Sequence, residues 1–219
     1  MPPREGYLRD LEQLRVQIRA LATQVSETVE KAIDAFEHNK RFLAEKLIVG
    51  DEAIDQAQEN VEEHILVTTA LQQPVASDLR LLLAALEIAA ELERIGDYAK
   101  RIAKVAYKTS VAPTTVPNYP FKKMGDLALG MLHDVIDAFD KNDAAAVRAA
   151  ARADDQVDAM EDEVRADLLQ LIQREPAAAE WAIDRMLVAH TIERMADRVT
   201  NIAEQVVFIL SGERTQLNS

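Results

Sequence analysis

Pairs of carboxylates four residues apart recur at four places in the chain, and their type and spacing point to metal chemistry. The residues are Asp51, Asp55, Glu93, Asp97, Asp154, Asp158, Glu193 and Asp197. Residues four apart share one face of a helix, where two like charges repel each other. Asp is also a poor helix former beyond the first turn of a helix. Something other than helix stability must favour these pairs, and carboxylate oxygens suit hard and borderline cations.

The pairs also fall at matching heights on two predicted helical hairpins. Asp51 lies 21 residues before the predicted end of its helix, and Asp97 lies 22 residues after the predicted start of the next one. Because each residue adds ~1.5 Å, both pairs lie level, about 25–30 Å from the turn. The same count brings Asp154 level with Asp197 in the second half. Four carboxylates at one level cannot all ionise without a cation among them. The sequence therefore predicts a carboxylate-only metal site in each half.

A solvated helix face is the alternative interpretation of any single pair. Against it, Glu93 and Asp97 continue the line of Leu86 and Ala90, whereas a purely solvated face would not extend an apolar and small-residue line. His190 precedes Glu193 by one turn, and we interpret it as a structural neighbour of the second site rather than a ligand. The chain has no Glu-x-x-His pair, phosphate-binding glycine loop or nucleophile elbow, which argues against ferritin-like oxidation and hydrolytic chemistry.

The elements that must position these acids are long helices. Apolar residues recur every three to four positions in segments rich in Ala, Leu, Glu, Arg and Gln, and alternating strand patterns are absent. The predicted helices span residues 4–38, 41–72, 75–108, 121–141, 143–174 and 177–211. Three prolines within Thr109–Pro120 exclude a helix from that stretch. The predicted fold class is all-α.

The two halves of the chain repeat each other. Residues 33–36 followed by Asn39 recur 103 residues later as residues 136–139 followed by Asn142. Near the repeat ends, Glu93 and Asp97 recur after 100 residues. The repeat predicts a tandem duplication of an antiparallel three-helix bundle. Both asparagines are predicted to end a helix in the left-handed conformation. The domains are the first repeat, 1–110, a Pro-rich linker, 111–120, and the second repeat, 121–219.

Composition excludes several classes of protein. The chain has 219 residues, a net charge of −13, 48% hydrophobic residues and no cysteine. It lacks a run of ~18 apolar residues, so no membrane-spanning helix is expected. The negative charge argues against a nucleic-acid partner, because phosphates would be repelled. The charged N-terminus does not have the pattern of a secretory signal, and the lack of thiols is compatible with the cytoplasm, where we expect the protein.

Three segments give the chain a resemblance to the PhoU family, and the resemblance covers essentially all of it. They are Leu92–Ala99 (LERIGDYA), its weaker echo Ile192–Asp197 (IERMAD) and Gln73–Arg80 (QPVASDLR). The resemblance implies that the eight paired carboxylates bind multinuclear metal clusters, with iron or zinc foremost and manganese or magnesium as alternatives. The second half departs from the family pattern, because Ala196 replaces the usual glycine and Arg198 and Val199 stand where His and Ala are common.

The resemblance also implies a function. PhoU-like proteins are cytoplasmic adaptors between the phosphate ABC transporter and the sensor histidine kinase of the phosphate two-component system, and they restrain signalling when phosphate is plentiful. We therefore expect a negative regulator that is not an enzyme and that reaches the membrane only through its partners. A homodimer is left open. The rival hypotheses are a carboxylate-bridged metalloenzyme of unknown substrate and an interaction bundle without metal.

Overall fold

The computed structural model describes residues 3–50, 52–108, 112–115 and 118–217, which form eight α-helices, one 3-10 turn (Pro176–Ala178) and no strand. The all-α prediction is confirmed. The helices are α1 (Pro3–Glu37), α2 (Arg41–Val49), α3 (Glu52–Gln72), α4 (Ala76–Tyr107), α5 (Phe121–Lys141), α6 (Ala144–Ala151), α7 (Asp154–Arg174) and α8 (Ala179–Ser211). None of the helices in these ranges is long and apolar enough to cross a membrane.

Two predicted helices are each divided in the structure. The helix expected over 41–72 is present as α2 and α3, and the helix expected over 143–174 is present as α6 and α7. The first division follows Gly50, whose N–H still bonds to the carbonyl of Lys46 at 2.9 Å. Asp154 consequently begins α7, and Asp55 lies in the first turn of α3. Carboxylates stabilise helix N-termini, so helix electrostatics account for part of the acid pattern.

The predicted left-handed helix ends are confirmed. Asn39 follows α1 with φ 52°, and Asn142 follows α5 with φ 54°. After Asn142, the carboxylate of Asp143 accepts hydrogen bonds from the N–H groups of Ala145 and Ala146, both at 3.0 Å. These contacts turn the chain sharply from α5 into α6 and cap the new helix.

The last long helix of each repeat, α4 or α8, lies at the centre of the molecule. α4 packs against α1, α2 and α3, α8 packs against α5, α6 and α7, and the repeats meet where α4 contacts α8 and α1 contacts α5. Glu91 is buried in the α4–α8 contact, where Arg94, Arg198 and Asn201 surround its carboxylate. The repeats therefore share one continuous apolar core rather than two separate ones.

Candidate metal centre

The second repeat brings three of its four predicted site carboxylates together. Asp158 lies on α7, and Glu193 and Asp197 lie one turn apart on α8, which packs along α7. Partial loss of hydration, followed by the negative charge of Asp197, raises the pKa of Asp158. The fourth residue, Asp154, begins α7 one turn before Asp158 and is buried, with 5% of its surface exposed.

Among these acids, Glu193 has the most strongly raised pKa. Burial raises the pKa of Glu193 from 4.5 to about 7, with further contributions from Asp197 and Asp158, and Arg194 offsets part of the effect. Its Oε2 atom lies 3.1 Å from Nδ1 of His190, but the two do not form a well-aligned hydrogen bond. Among the described residues, this buried oxygen has no hydrogen-bond partner. A buried carboxylate oxygen beside other carboxylates is a suitable ligand for a cation.

The structure adds Glu161, a residue that the sequence analysis missed. Glu161 lies on α7 three residues after Asp158, its side chain is only 14% exposed, and its charge raises the pKa of both Asp158 and Glu193. The corresponding position in the first repeat is Gln58, so a search for repeated acids could not find it. Glu161 could have been found from its spacing, because residues 154, 158 and 161 lie along one helix face.

The first repeat shows less of its predicted site, because Asp51 lies outside the described residues. Asp55 and Asp97 are exposed and Glu93 is half-buried. Close packing of α3 on α4 places these acids on neighbouring helix faces: a Cβ built on Gly96 would lie 3.0 Å from Cδ1 of Ile54. Asp97 also lines a cavity of about 400 Å³ with basic side chains of α4 and α8.

The packing also explains why the second repeat tolerates Ala196 where the first has Gly96. The residue that corresponds to Ile54 is Val157, which is fully buried, as is Ala196. The second repeat therefore has one carbon less on α7 and one carbon more on α8. This exchange keeps the core volume nearly constant, so Ala196 is compatible with close packing of the two helices that carry the second quartet.

The arrangement suits cation binding better than catalysis. Carboxylates supply every donor in the two quartets, and His190 is the histidine that contacts them in the described structure. Within the four described ranges, no group of three or more His, Asp or Glu side chains is already arranged to hold a metal ion. The second quartet nevertheless has two features that fit a cation: mutually repelling carboxylates and a buried acceptor oxygen without a hydrogen bond.

Comparisons with known proteins identify relatives across the whole chain. The PhoU domain matches residues 18–106 and 121–206. The phosphate-specific transport system accessory protein PhoU homolog of Caulobacter vibrioides is 32% identical over 210 residues, which make up 95% of this chain and 91% of that protein. The homolog of Clostridium acetobutylicum is 26% identical over 216 residues, 98% of this chain and 99% of that protein.

Two crystal structures share the fold. The phosphate transport system regulatory protein PhoU from Streptococcus pneumoniae has a TM-score of 0.87 at 27% identity, covering 95% of this chain and 99% of that one. PhoU from Pseudomonas aeruginosa has a TM-score of 0.86 at 27% identity, covering 94% of this chain and all of the other. The relatives are named as accessory and regulatory proteins rather than as enzymes.

Proposed function

This chain belongs to the PhoU family, and we propose that it is an accessory protein of phosphate transport that restrains phosphate uptake and phosphate-starvation signalling when phosphate is plentiful. The observation that carries this proposal is the match of the PhoU domain to both repeats, together with curated relatives that span almost the same length. A relative named as a transport accessory protein indicates the process in which the chain acts.

In this proposal the protein works in the cytoplasm as an adaptor. Its partners are subunits of a phosphate ABC transporter and the sensor histidine kinase of a phosphate two-component system. The fold suits such a role, because the described residues form a helical bundle whose long helices offer extended faces for protein contacts. The rival carboxylate-bridged metalloenzyme has no comparable support, since the relatives are named as accessory proteins.

We further propose that the carboxylates of each repeat bind metal. In the second repeat the ligands are Asp154, Asp158, Glu193 and Asp197, with Glu161 at the edge of the group. Two observations support this site: the mutual repulsion of the acids other than Asp154, and the buried Oε2 of Glu193. Oxygen-only ligands suit iron, zinc, manganese or magnesium, and no thiolate is available to favour a softer ion. Rotation of the side chains towards the ion would complete the site.

The corresponding site in the first repeat comprises Asp51, Asp55, Glu93 and Asp97. Its support comes from the sequence repeat and from the close packing of α3 on α4 at Gly96. In both repeats the metal has a structural consequence, because an ion that neutralises repelling carboxylates stabilises the folded state by mass action. Metal would therefore stiffen two surfaces that are available to partners, one formed by α3 and α4 and the other by α7 and α8.

A gene-replacement experiment tests the regulatory function. The gene for the Caulobacter vibrioides relative is deleted, and this chain is expressed in its place. We expect the deletion to leave phosphate-starvation genes expressed in phosphate-rich medium and this chain to restore their repression. Reporter expression and uptake of labelled phosphate are the measurements. If the chain is stably produced, and if neither measurement differs between the deleted strain and the strain that carries it, the regulatory proposal is wrong.

A further inference from the structure

A basic cavity lies where α1 ends, α2 begins, α4 ends and α8 begins. Its volume is about 380 Å³. The charged residues that line it are Arg41, Lys108, Arg185 and Glu37, so cations outnumber acids three to one. This is the reverse of the whole chain, which has 25 Lys and Arg against 38 Asp and Glu. A local excess of positive charge in an acidic protein indicates a place where an anion is stabilised.

Arg185 is held in place by aromatic rings rather than by acids. Its guanidinium carbon lies 4.0 Å from the ring centroid of Trp181 and 5.0 Å from that of Phe36. Burial lowers the pKa of Arg185, and the nearby charge of Asp184 only partly opposes this effect. Within the part of the chain that the structure describes, Arg185 makes neither a hydrogen bond nor an ion pair. A fixed, half-buried guanidinium therefore keeps its donors available to a ligand.

The other charged groups of the cavity also leave room for an anion. Arg41 stacks on Tyr107, with 4.4 Å between its guanidinium carbon and the ring centroid, and forms no ion pair with a described residue. Lys108 has only a long contact, 3.8 Å from Nζ to Oδ1 of Asp184. The acid of the cavity, Glu37, is already engaged, because its Oε1 accepts a hydrogen bond from the N–H of Lys122 at 2.9 Å.

We propose that this cavity is a binding site for a phosphate group, with Arg41, Lys108 and Arg185 as its cationic ligands. Guanidinium groups donate paired hydrogen bonds that match phosphate oxygens, and lysine adds a compact charge. An adjoining cavity of about 250 Å³ is lined by Phe36, Tyr119 and Trp181 and shares Arg185. It is large enough for a flat ring attached to the phosphate. The phosphate group is therefore supplied either by free inorganic phosphate or by a nucleoside monophosphate.

The site is separate from the carboxylate quartets and goes beyond the proposed function. Arg185 precedes Glu193 by eight residues, which corresponds to about 12 Å along α8. The cavity is formed by both repeats, since Phe36 and Arg41 belong to the first and Trp181 and Arg185 to the second. Its binding can be measured without a transporter or a kinase, so failure of the regulatory proposal would leave this inference standing, and the reverse is also true.

The chain provides its own probe for the test. Trp181 is the only tryptophan, and its ring contacts Arg185. The full chain is titrated with inorganic phosphate and, separately, with adenosine monophosphate, at constant ionic strength set with sodium chloride. Calorimetry gives the affinity, and the fluorescence of Trp181 reports whether binding occurs at this cavity. The variants are Arg41→Gln and Lys108→Gln, both at exposed positions, and the control is Lys141→Gln at the far end of α5.

We expect saturable binding with a fluorescence change in the wild type and in Lys141→Gln. Each cavity variant should lower the affinity about tenfold, because one charge-assisted hydrogen bond is lost. Tighter binding of inorganic phosphate identifies the free anion as the ligand, and tighter binding of adenosine monophosphate identifies a nucleotide. The inference is overturned if neither ligand binds saturably, or if Arg41→Gln and Lys108→Gln bind as tightly as Lys141→Gln. Binding without a change in Trp181 fluorescence, such as binding at a metal centre, would also overturn it.

Discussion

Replacing Glu193 with Gln should stabilise the metal-free protein at neutral and alkaline pH. Gln has nearly the shape of a protonated Glu and carries no charge, so it removes the repulsion that raises the pKa of Glu193 to about 7. A group with a raised folded-state pKa destabilises the fold only when it is ionised. The stabilising contribution of the protonated carboxyl group is therefore complete below pH 4.5, declines as the pH rises towards 7, and is absent above that. The gain from Glu193→Gln should follow the opposite course and increase over this interval.

The size of the effect follows from the pKa change. A pKa that moves from 4.5 to about 7 corresponds to at most ~3 kcal/mol at 1.36 kcal/mol per pH unit. Because 21% of the side chain is exposed, solvent screening reduces this, and we expect a gain of about 1–3 kcal/mol at pH 8. The groups that face Glu193 are Asp158, Glu161, Asp197, Arg194 and His190, and they are the same in both proteins.

The assay is urea unfolding of the wild type and Glu193→Gln, with chelator present, at several values between pH 4 and 8.5. The matched control is Glu163→Gln at an exposed position on α7, which should change stability by less than about 0.5 kcal/mol at every pH. A Glu193→Gln variant that is less stable than the wild type at pH 8 would refute the argument. So would a stability gain that is the same at pH 4 and pH 8.

Three further predictions concern the fold. Replacing Glu91 with Ala leaves Arg198 without its acid in the α4–α8 contact, and should cost about 3–5 kcal/mol in urea unfolding; a cost below about 1 kcal/mol would contradict this. Combining Ile54→Val with Gly96→Ala copies the second repeat, and the double variant should be more stable than the sum of the single effects by about 0.5–2 kcal/mol in a double-mutant cycle; simple additivity would contradict it. Asp143→Ala removes the cap of α6 and should cost about 1 kcal/mol in thermal unfolding, and an unchanged melting temperature would argue against the cap.

The sequence predicts the helices well because their signals are local and repeated. Apolar residues at helical spacing define each long segment, and Asn39 and Asn142 mark two sharp turns at equivalent positions. The divisions near Gly50 and Ala153 were missed, although glycine is a common signal for a helix end. The divisions matter for the site, because α3 and α7 begin close to the predicted acids. The N-terminus of each helix stabilises nearby carboxylates without any metal.

The candidate site was only partly predictable. The repeat identified Asp158, Glu193 and Asp197, and helix packing brings them together. The repeat could not identify Glu161, because the corresponding residue in the first repeat is not acidic. Nor could it show that the change from Ile54 to Val157 compensates for the change from Gly96 to Ala196. That exchange depends on contact between residues on two successive helices that are far apart in sequence, and linear spacing does not reveal which residues touch. The basic cavity was missed for the same reason, since its charges come from three different helices and the end of α4.

The most direct test of the central claim is the metal content of the protein purified without added metal or chelator. Elemental analysis should find metal in the wild type and in the control Glu163→Gln, and clearly less in Asp197→Asn and in Asp97→Asn, each of which removes one charge from one quartet. Chelation should lower the melting temperature of the wild type more than that of either quartet variant. A wild type without metal, or quartet variants that retain as much metal as Glu163→Gln, would contradict the claim that the paired carboxylates bind metal.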